Sequence, residues 1–168
     1  MQNFSMETYL KQLETLVNID SGMGNPDGAT QTGLMLAEML VEKGWLLERH
    51  KVSDQCGECM VLKNREADRY DVLMVGHTDT VFPAGEALKR PFRRDAEKCY
   101  GVGVIDMKQG CLSMLHILEQ LPEKVNEKLN ILANSGCLNF CSARTFHDNL
   151  VAHEDRLMKQ DNALIFKS

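Results

Sequence analysis

Four consecutive apolar residues, Val72, Leu73, Met74 and Val75, run directly into "GHTDTVFP". An apolar run without polar alternation predicts a strand buried on both faces, as in a sheet covered by helices. Polar groups that appear abruptly at the carboxyl end of such a strand stand where open α/β sheets place their ligands. His77 and Asp79 are those groups, and they make this strand end a candidate site.

The rest of the chain alternates in a way that fits a covered sheet. "METYLKQLETLV" predicts a helix over Met6–Val17, with Leu10, Leu13, Leu16 and Val17 on one face. The turn-rich "NIDSGMGNPDGAT" follows, and a second helix starting near Asp27 or Thr30 carries Leu36, Met39 and Leu40 until Gly44 ends it. Strands are predicted at Trp45–Val52 and Cys59–Lys63, separated by "SDQCGE". Residues 83–104 read as irregular, punctuated by Pro83, Gly85, Pro91, Gly101 and Gly103. After Asp106 a helix presents Cys111, Leu112, Met114, Leu115, Leu118 and Leu121 on a wide apolar face and stops at Pro122. "KLNILA" then predicts a strand, "RTFHDNLVAHEDRLMKQ" a helix and "NALIF" a last strand. Helices alternating with short apolar strands predict an α/β layered domain.

Composition narrows the function classes. A chain of 168 residues, 43% hydrophobic and 26% charged, is enough for one domain with a sizeable core. Acidic residues outnumber basic ones by 24 to 19, and the basic ones are scattered apart from "LKRPFRRD", so a nucleic-acid partner is not expected. No segment approaches the ~18 apolar residues of a membrane span, and the amino terminus has no continuous apolar leader. A cytoplasmic protein with no membrane partner is therefore expected. In that compartment the six cysteines read as reduced thiols. Cys56 and Cys59 in "CGEC" lack a matching second pair for a structural zinc site, since Cys137 and Cys141 are more widely spaced.

Three residues at predicted element ends carry metal or acid–base chemistry: His77, Asp79 and Asp106. An imidazole nitrogen ligates zinc, and a carboxylate on the other ring nitrogen fixes the tautomer, a role open to Asp79. A carboxylate at Asp106 has two oxygens and can bridge two metals about 3.5 to 4 Å apart. Taken singly, a His-x-Asp is also a common surface pair and an Asp before a helix a common N-cap. "GVGVID" lacks the third glycine of a dinucleotide fingerprint.

"MVGHTDTVFP", followed by Asp106 within "YGVGVIDMKQG" 29 residues after His77 (106 minus 77), resembles the co-catalytic zinc exopeptidase and deacylase family. That family includes glutamate carboxypeptidase, acetylornithine deacetylase, succinyl-diaminopimelate desuccinylase and peptidase T. "LVNIDSGMGNPDG", "FPAGEALKRPF" and "DMKQGCLSMLHIL" are also similar to text these proteins carry. The resemblance implies a three-layer α/β sandwich, with a mixed, largely parallel sheet flanked by helices, incomplete relative to the family. It implies zinc, with cobalt or manganese as alternatives, held by His77 and by a bridging Asp106, and Asp79 as the catalytic-site residue orienting His77. It also implies a cis peptide bond from Asp106 to Met107. The implied substrate is a small peptide or an N-acyl amino acid.

The sequence departs from the family pattern after "LNILANS". Where the family carries an Asp-Glu-Glu run, its first glutamate a general base and its second a metal ligand, this chain has Gly136, Cys137 and Leu138. Lys167 stands where a later acidic ligand is expected after the last strand. By the resemblance, residues 1–168 are a partial metallohydrolase catalytic domain, and the lid or dimerisation domain and a carboxyl-terminal histidine ligand fall outside them. Family members read the substrate's free carboxylate with residues of that other domain. The expectation is an impaired hydrolase or, alternatively, a scaffold that binds other proteins with at most one metal. Its oligomeric state is left open. Cys137, Cys141, His147 and His153 are possible substitute ligands, against the simpler reading of core cysteines and a solvated helix face. His116 reads as a core histidine, and His50 has no evident partner.

Overall fold

The computed structural model describes residues 4–51, 53–136 and 164–167, the side chains of 134–136 and 164–167 excepted. Helix α1 (Met6–Asn18) begins where the Ser5 hydroxyl accepts from the Thr8 N–H, an N-cap that satisfies one otherwise unpaired donor. Its buried face is Tyr9, Leu13, Leu16 and Val17, with Leu10 only half-buried. A two-residue strand, β1 (Gly22–Met23), leads to α2 (Pro26–Val41), where the Asn25 side chain accepts from the Gly28 N–H and Pro26 supplies a preset φ. Gly44, at φ +86°, turns the chain out of α2, a conformation glycine adopts without a Cβ clash.

The chain continues through β2 (Leu46–His50), β3 (Cys59–Lys63), β4 (Val72–His77) and β5 (Thr80–Pro83). A short helix α3 (Glu86–Lys89) and the hairpin of β6 (Arg93–Arg94) and β7 (Cys99–Tyr100) precede a wide turn over Val104–Lys108. Helices α4 (Gln109–Glu119) and α5 (Glu123–Asn126) follow, then strands β8 (Ile131–Gly136) and β9 (Leu164–Lys167).

Five strands form one mixed sheet in the order β2-β3-β8-β4-β9. The β2–β3 and β3–β8 pairs are antiparallel, and β8–β4 and β4–β9 are parallel. β4 is flanked on both sides, which is why its sequence is continuously apolar. Successive side chains of a strand point to opposite faces. Leu62, Met74 and Ile131 accordingly join the core under α1, α2 and α4, beside Leu16, Leu40, Leu112 and Leu115. Val61, Leu73, Val75 and Leu132 face the other way, against Tyr70. Burying a leucine such as Leu112 completely contributes roughly 1.5–3 kcal/mol, so the helical face supplies most of the described core. The chain is thus an α/β fold with a mixed sheet flanked by helices.

The departures from the sequence-based expectation have local causes. "KLNILA" yields a strand only from Ile131, because the Asn130 N–H donates to Asp71 Oδ2 and its carbonyl accepts from the Asp71 and Val72 N–H groups. The pieces β1, α3, β6 and β7 lie in stretches read as loops, each too short to show a periodicity. Cys56 is disulfide-bonded, which corrects the reading of all cysteines as reduced thiols; such a bond needs only a second sulfur in reach, which sequence spacing does not reveal. The helix predicted over residues 144–160 lies outside the described residues. No helix among the described residues is long and apolar enough to cross a membrane.

Candidate metal centre

The carboxyl end of β4 delivers His77, and the parallel register sets it beside Gly136 of β8. Gly76, one residue earlier, is required by packing. A Cβ there would lie 2.7 Å from Cys111 Sγ, 2.9 Å from Met114 Cε and 3.0 Å from Met107 Cε. Its absence lets α4 close directly beneath the strand end. Beyond His77 the chain turns into β5, anchored where the Thr80 N–H donates to the Ser21 carbonyl at 3.0 Å. His77, Thr78, Asp79 and Thr80 are all buried.

The His77 ring contacts oxygen on both sides. Nδ1 lies 2.9 Å from the Asp79 carbonyl oxygen and 3.3 Å from Asp79 Oδ1, while Nε2 lies 2.9 Å from Asp106 Oδ1. The Asp79 main chain is therefore nearer the ring than its carboxylate, a detail the sequence reading did not contain. Burial acts to lower the His77 pKa, but the hydrogen bonds to Asp79 and Asp106 outweigh it and the net direction is upward.

Asp106 reaches this contact from the wide turn, where its backbone (φ −131°, ψ 94°) departs from helical geometry. The Asp106–Met107 peptide bond is cis, the form the resemblance implies. Two further residues hold the turn. Gly103 sits at φ +74°, and a Cβ on it would meet Thr80 Cγ2 at 2.6 Å, so only glycine lets the turn approach β5 so closely. Lys108 is 1% exposed, and its Nζ donates to the Leu16 carbonyl at 2.8 Å and the Ile19 carbonyl at 2.7 Å, at the carboxyl end of α1. Burial pushes its pKa down to about 8. Neither residue was singled out for this role from sequence. In the sequence the glycine pair reads as loop punctuation and as an incomplete dinucleotide fingerprint, and a lysine at the head of an apolar helix is the available signal for Lys108.

The other candidates have ordinary roles or lie elsewhere. Cys111 Sγ donates to the His77 carbonyl at 3.3 Å, and burial pushes its thiol up to about 12, so it backs the strand rather than reacting. His116 is satisfied by Gln12 Oε1 at 2.7 Å and packs against Tyr9, and His50 lies 3.4 Å from Glu48. Lys167 is the last residue of β9 and pairs with Val75, so it belongs to the strand rather than following it. Cys137, Cys141, His147 and His153 lie outside the described residues.

A neutral imidazole has one N–H, yet both nitrogens of His77 face oxygen acceptors. Two states satisfy this arrangement: an imidazolium, or a cation taken up at Nε2 and the Asp106 carboxylate. The donor types, one imidazole nitrogen and one carboxylate, suit zinc. Their number falls short of the three protein ligands of a catalytic zinc site, and no group of three His, Cys, Asp or Glu residues is assembled among the described residues.

Residues 73–135 match the sequence pattern of Peptidase family M20/M25/M40. Carboxypeptidase G2 of Pseudomonas sp. (strain RS-16) is 36% identical over 115 residues, covering 68% of this chain and 28% of that enzyme. Human carnosine dipeptidase 1 superposes with a TM-score of 0.68 at 15% identity, covering 90% of this chain and 37% of that one. The di-peptidase Dug1p of Saccharomyces cerevisiae gives 0.67 at 15% identity, over 90% of this chain and 36% of that one. At such identities the two dipeptidases bear on the fold alone, and the chain spans well under half the length of each relative. The matched segment contains the β4 strand end, His77, Asp79 and the Asp106 turn, so residues 73–135 of the chain are a peptidase family M20/M25/M40 segment.

Proposed function

We propose that this chain is part of a metal-dependent hydrolase of amide bonds in peptides or N-acyl amino acids, with His77 and Asp106 as metal ligands and Asp79 orienting His77. The observation that carries the reading is the 2.9 Å approach of His77 Nε2 to Asp106 Oδ1, with the other ring nitrogen held by Asp79. Asp79 fixes which nitrogen is turned to the site, and Asp106 offers a carboxylate accessible from solvent. A bound divalent ion, zinc in the first instance with cobalt or manganese as alternatives, would act as a Lewis acid on the substrate carbonyl. Residues 1–168 would be one portion of the catalytic domain, acting in the cytoplasm.

On the same reading the chain is a poor catalyst. By the resemblance, the positions of the family's Asp-Glu-Glu run are held by Gly136, the last residue of β8, and by Cys137 and Leu138 after it. Losing a general base commonly lowers the rate by about 10² to 10⁴. A second reading, a binding protein built on this scaffold, draws support from the two-ligand count among the described residues. Zinc-loaded protein incubated with dipeptides and N-acetyl amino acids separates the two. Slow release of free amino acid that disappears in His77→Ala supports the hydrolase; release at background level, equal in both proteins, favours the binding role.

A further inference from the structure

A groove of about 790 Å³ opens beside Asp106, within the range of small-ligand sites. Phe82, Arg90, Arg93, Tyr100 and Ile105 line it together with Asp106. Ile105 is 88% exposed, an unusual position for a large apolar side chain next to a candidate reaction centre.

The cations around this groove are not equivalent. Arg90 lies 4.3 Å over the Phe82 ring and is ion-paired with Glu86 at 2.9 Å, Lys89 shares the same Glu86 at 3.3 Å, and Arg94 reaches Glu7 at 3.3 Å. Arg93, among the described residues, has no such ion pair. Its guanidinium stacks 3.8 Å from the centroid of Tyr100, its cross-strand partner in the β6–β7 hairpin. The neighbouring Asp95 carboxylate is engaged by the Glu97 and Lys98 N–H groups at 2.8 Å each and by the Tyr100 hydroxyl at 2.9 Å. These bonds brace the hairpin and the ring on which Arg93 rests. A guanidinium stacked by its face keeps its edge N–H donors for a planar acceptor such as a carboxylate.

We propose that this groove is a subsite for a carboxylate-bearing ligand, with its anionic group on Arg93 and its apolar body against Phe82, Tyr100 and Ile105. The inference rests on the hydrolase reading only in placing the scissile amide at His77 and Asp106. It differs from the expectation drawn by resemblance, in which the substrate carboxylate is read by a separate domain. The groove selects amphipathic acidic amides and disfavours ligands that are cationic at that end.

The test uses metal-stripped, chelator-free protein, N-benzoylglycine as the probe and its neutral amide, benzoylglycinamide, as the control, read by amide chemical shifts. N-Benzoylglycine is expected to saturate and to move the resonances of Arg93, Tyr100 and Ile105, with benzoylglycinamide and Arg93→Gln each weaker by about tenfold. Arg93→Lys, which keeps the charge but not the fork, should fall between, and a dispersed spectrum checks that each variant is folded. Absence of saturable binding, equal affinity for the two probes, or affinity unchanged in Arg93→Gln would overturn the inference. No bond is cut and no metal is present, so Arg93-dependent binding beside a failed zinc-uptake experiment would sink the hydrolase reading alone. Zinc uptake without probe binding would sink the groove alone.

Discussion

His77 and Asp106 meet at 2.9 Å, but they arrive from different kinds of structure. His77 ends a strand hydrogen-bonded on both sides, is 6% exposed, and stands over α4 through the missing Cβ of Gly76. The Asp106 side chain is 72% exposed, and its turn is fixed by a few devices: Gly103 against Thr80, and Lys108 reaching back to α1. One half of the site is set by the register of the whole sheet. The other is set by local backbone geometry and one long-range tether, so it can be altered without dismantling the core.

That contrast can be broken at three places. The largest effect is expected from Gly76→Val on the buried half. Its Cβ alone would meet three side-chain atoms at 3.0 Å or less, and overpacking of this kind costs about 1–3 kcal/mol. Thermal melting should show the loss together with reduced zinc uptake, and an unchanged melting temperature would mean that β4 and α4 are not as tightly apposed as described. Lys108→Met comes next. It keeps the apolar stem but leaves the Leu16 and Ile19 carbonyls without their donor, with an expected loss of about 1–2 kcal/mol in urea unfolding. An equal or greater stability would show that the tether is dispensable. The smallest stability effect is expected from Asp106→Asn on the exposed half, within about 0.5 kcal/mol of the parent. Isothermal titration with zinc should nevertheless show weakened binding; a large drop in melting temperature would erase the distinction between the halves.

The buried half was legible because its signal is local. A continuous apolar run followed at once by His77 and Asp79 specifies both the strand and the place where polarity begins. Helices α1, α2 and α4 were legible for the same reason, through apolar spacing and, for α2, the capping and terminating residues of the "NPDG" stretch and Gly44. Asp106 was different: nothing in its own neighbourhood separates a ligand from an N-cap, and only the joint resemblance singled it out. Lys108 bonds across 92 residues to Leu16, and Asp71 delays the start of β8, so neither effect has a signature in a short window. The Arg93–Tyr100 stack depends on a hairpin of two-residue strands, too brief for any periodic pattern to reveal.

The central claim is that His77 and Asp106 together take up a divalent metal ion. Its most direct test is metal content by mass spectrometry after equilibration with excess zinc and desalting, with His77→Ala measured in parallel. Retention of about one zinc ion or more per chain, lost in His77→Ala, is the expected result. Zinc near zero in both proteins, or the same amount retained by both, would contradict the claim and leave the motif as a structural feature of the carboxyl end of β4.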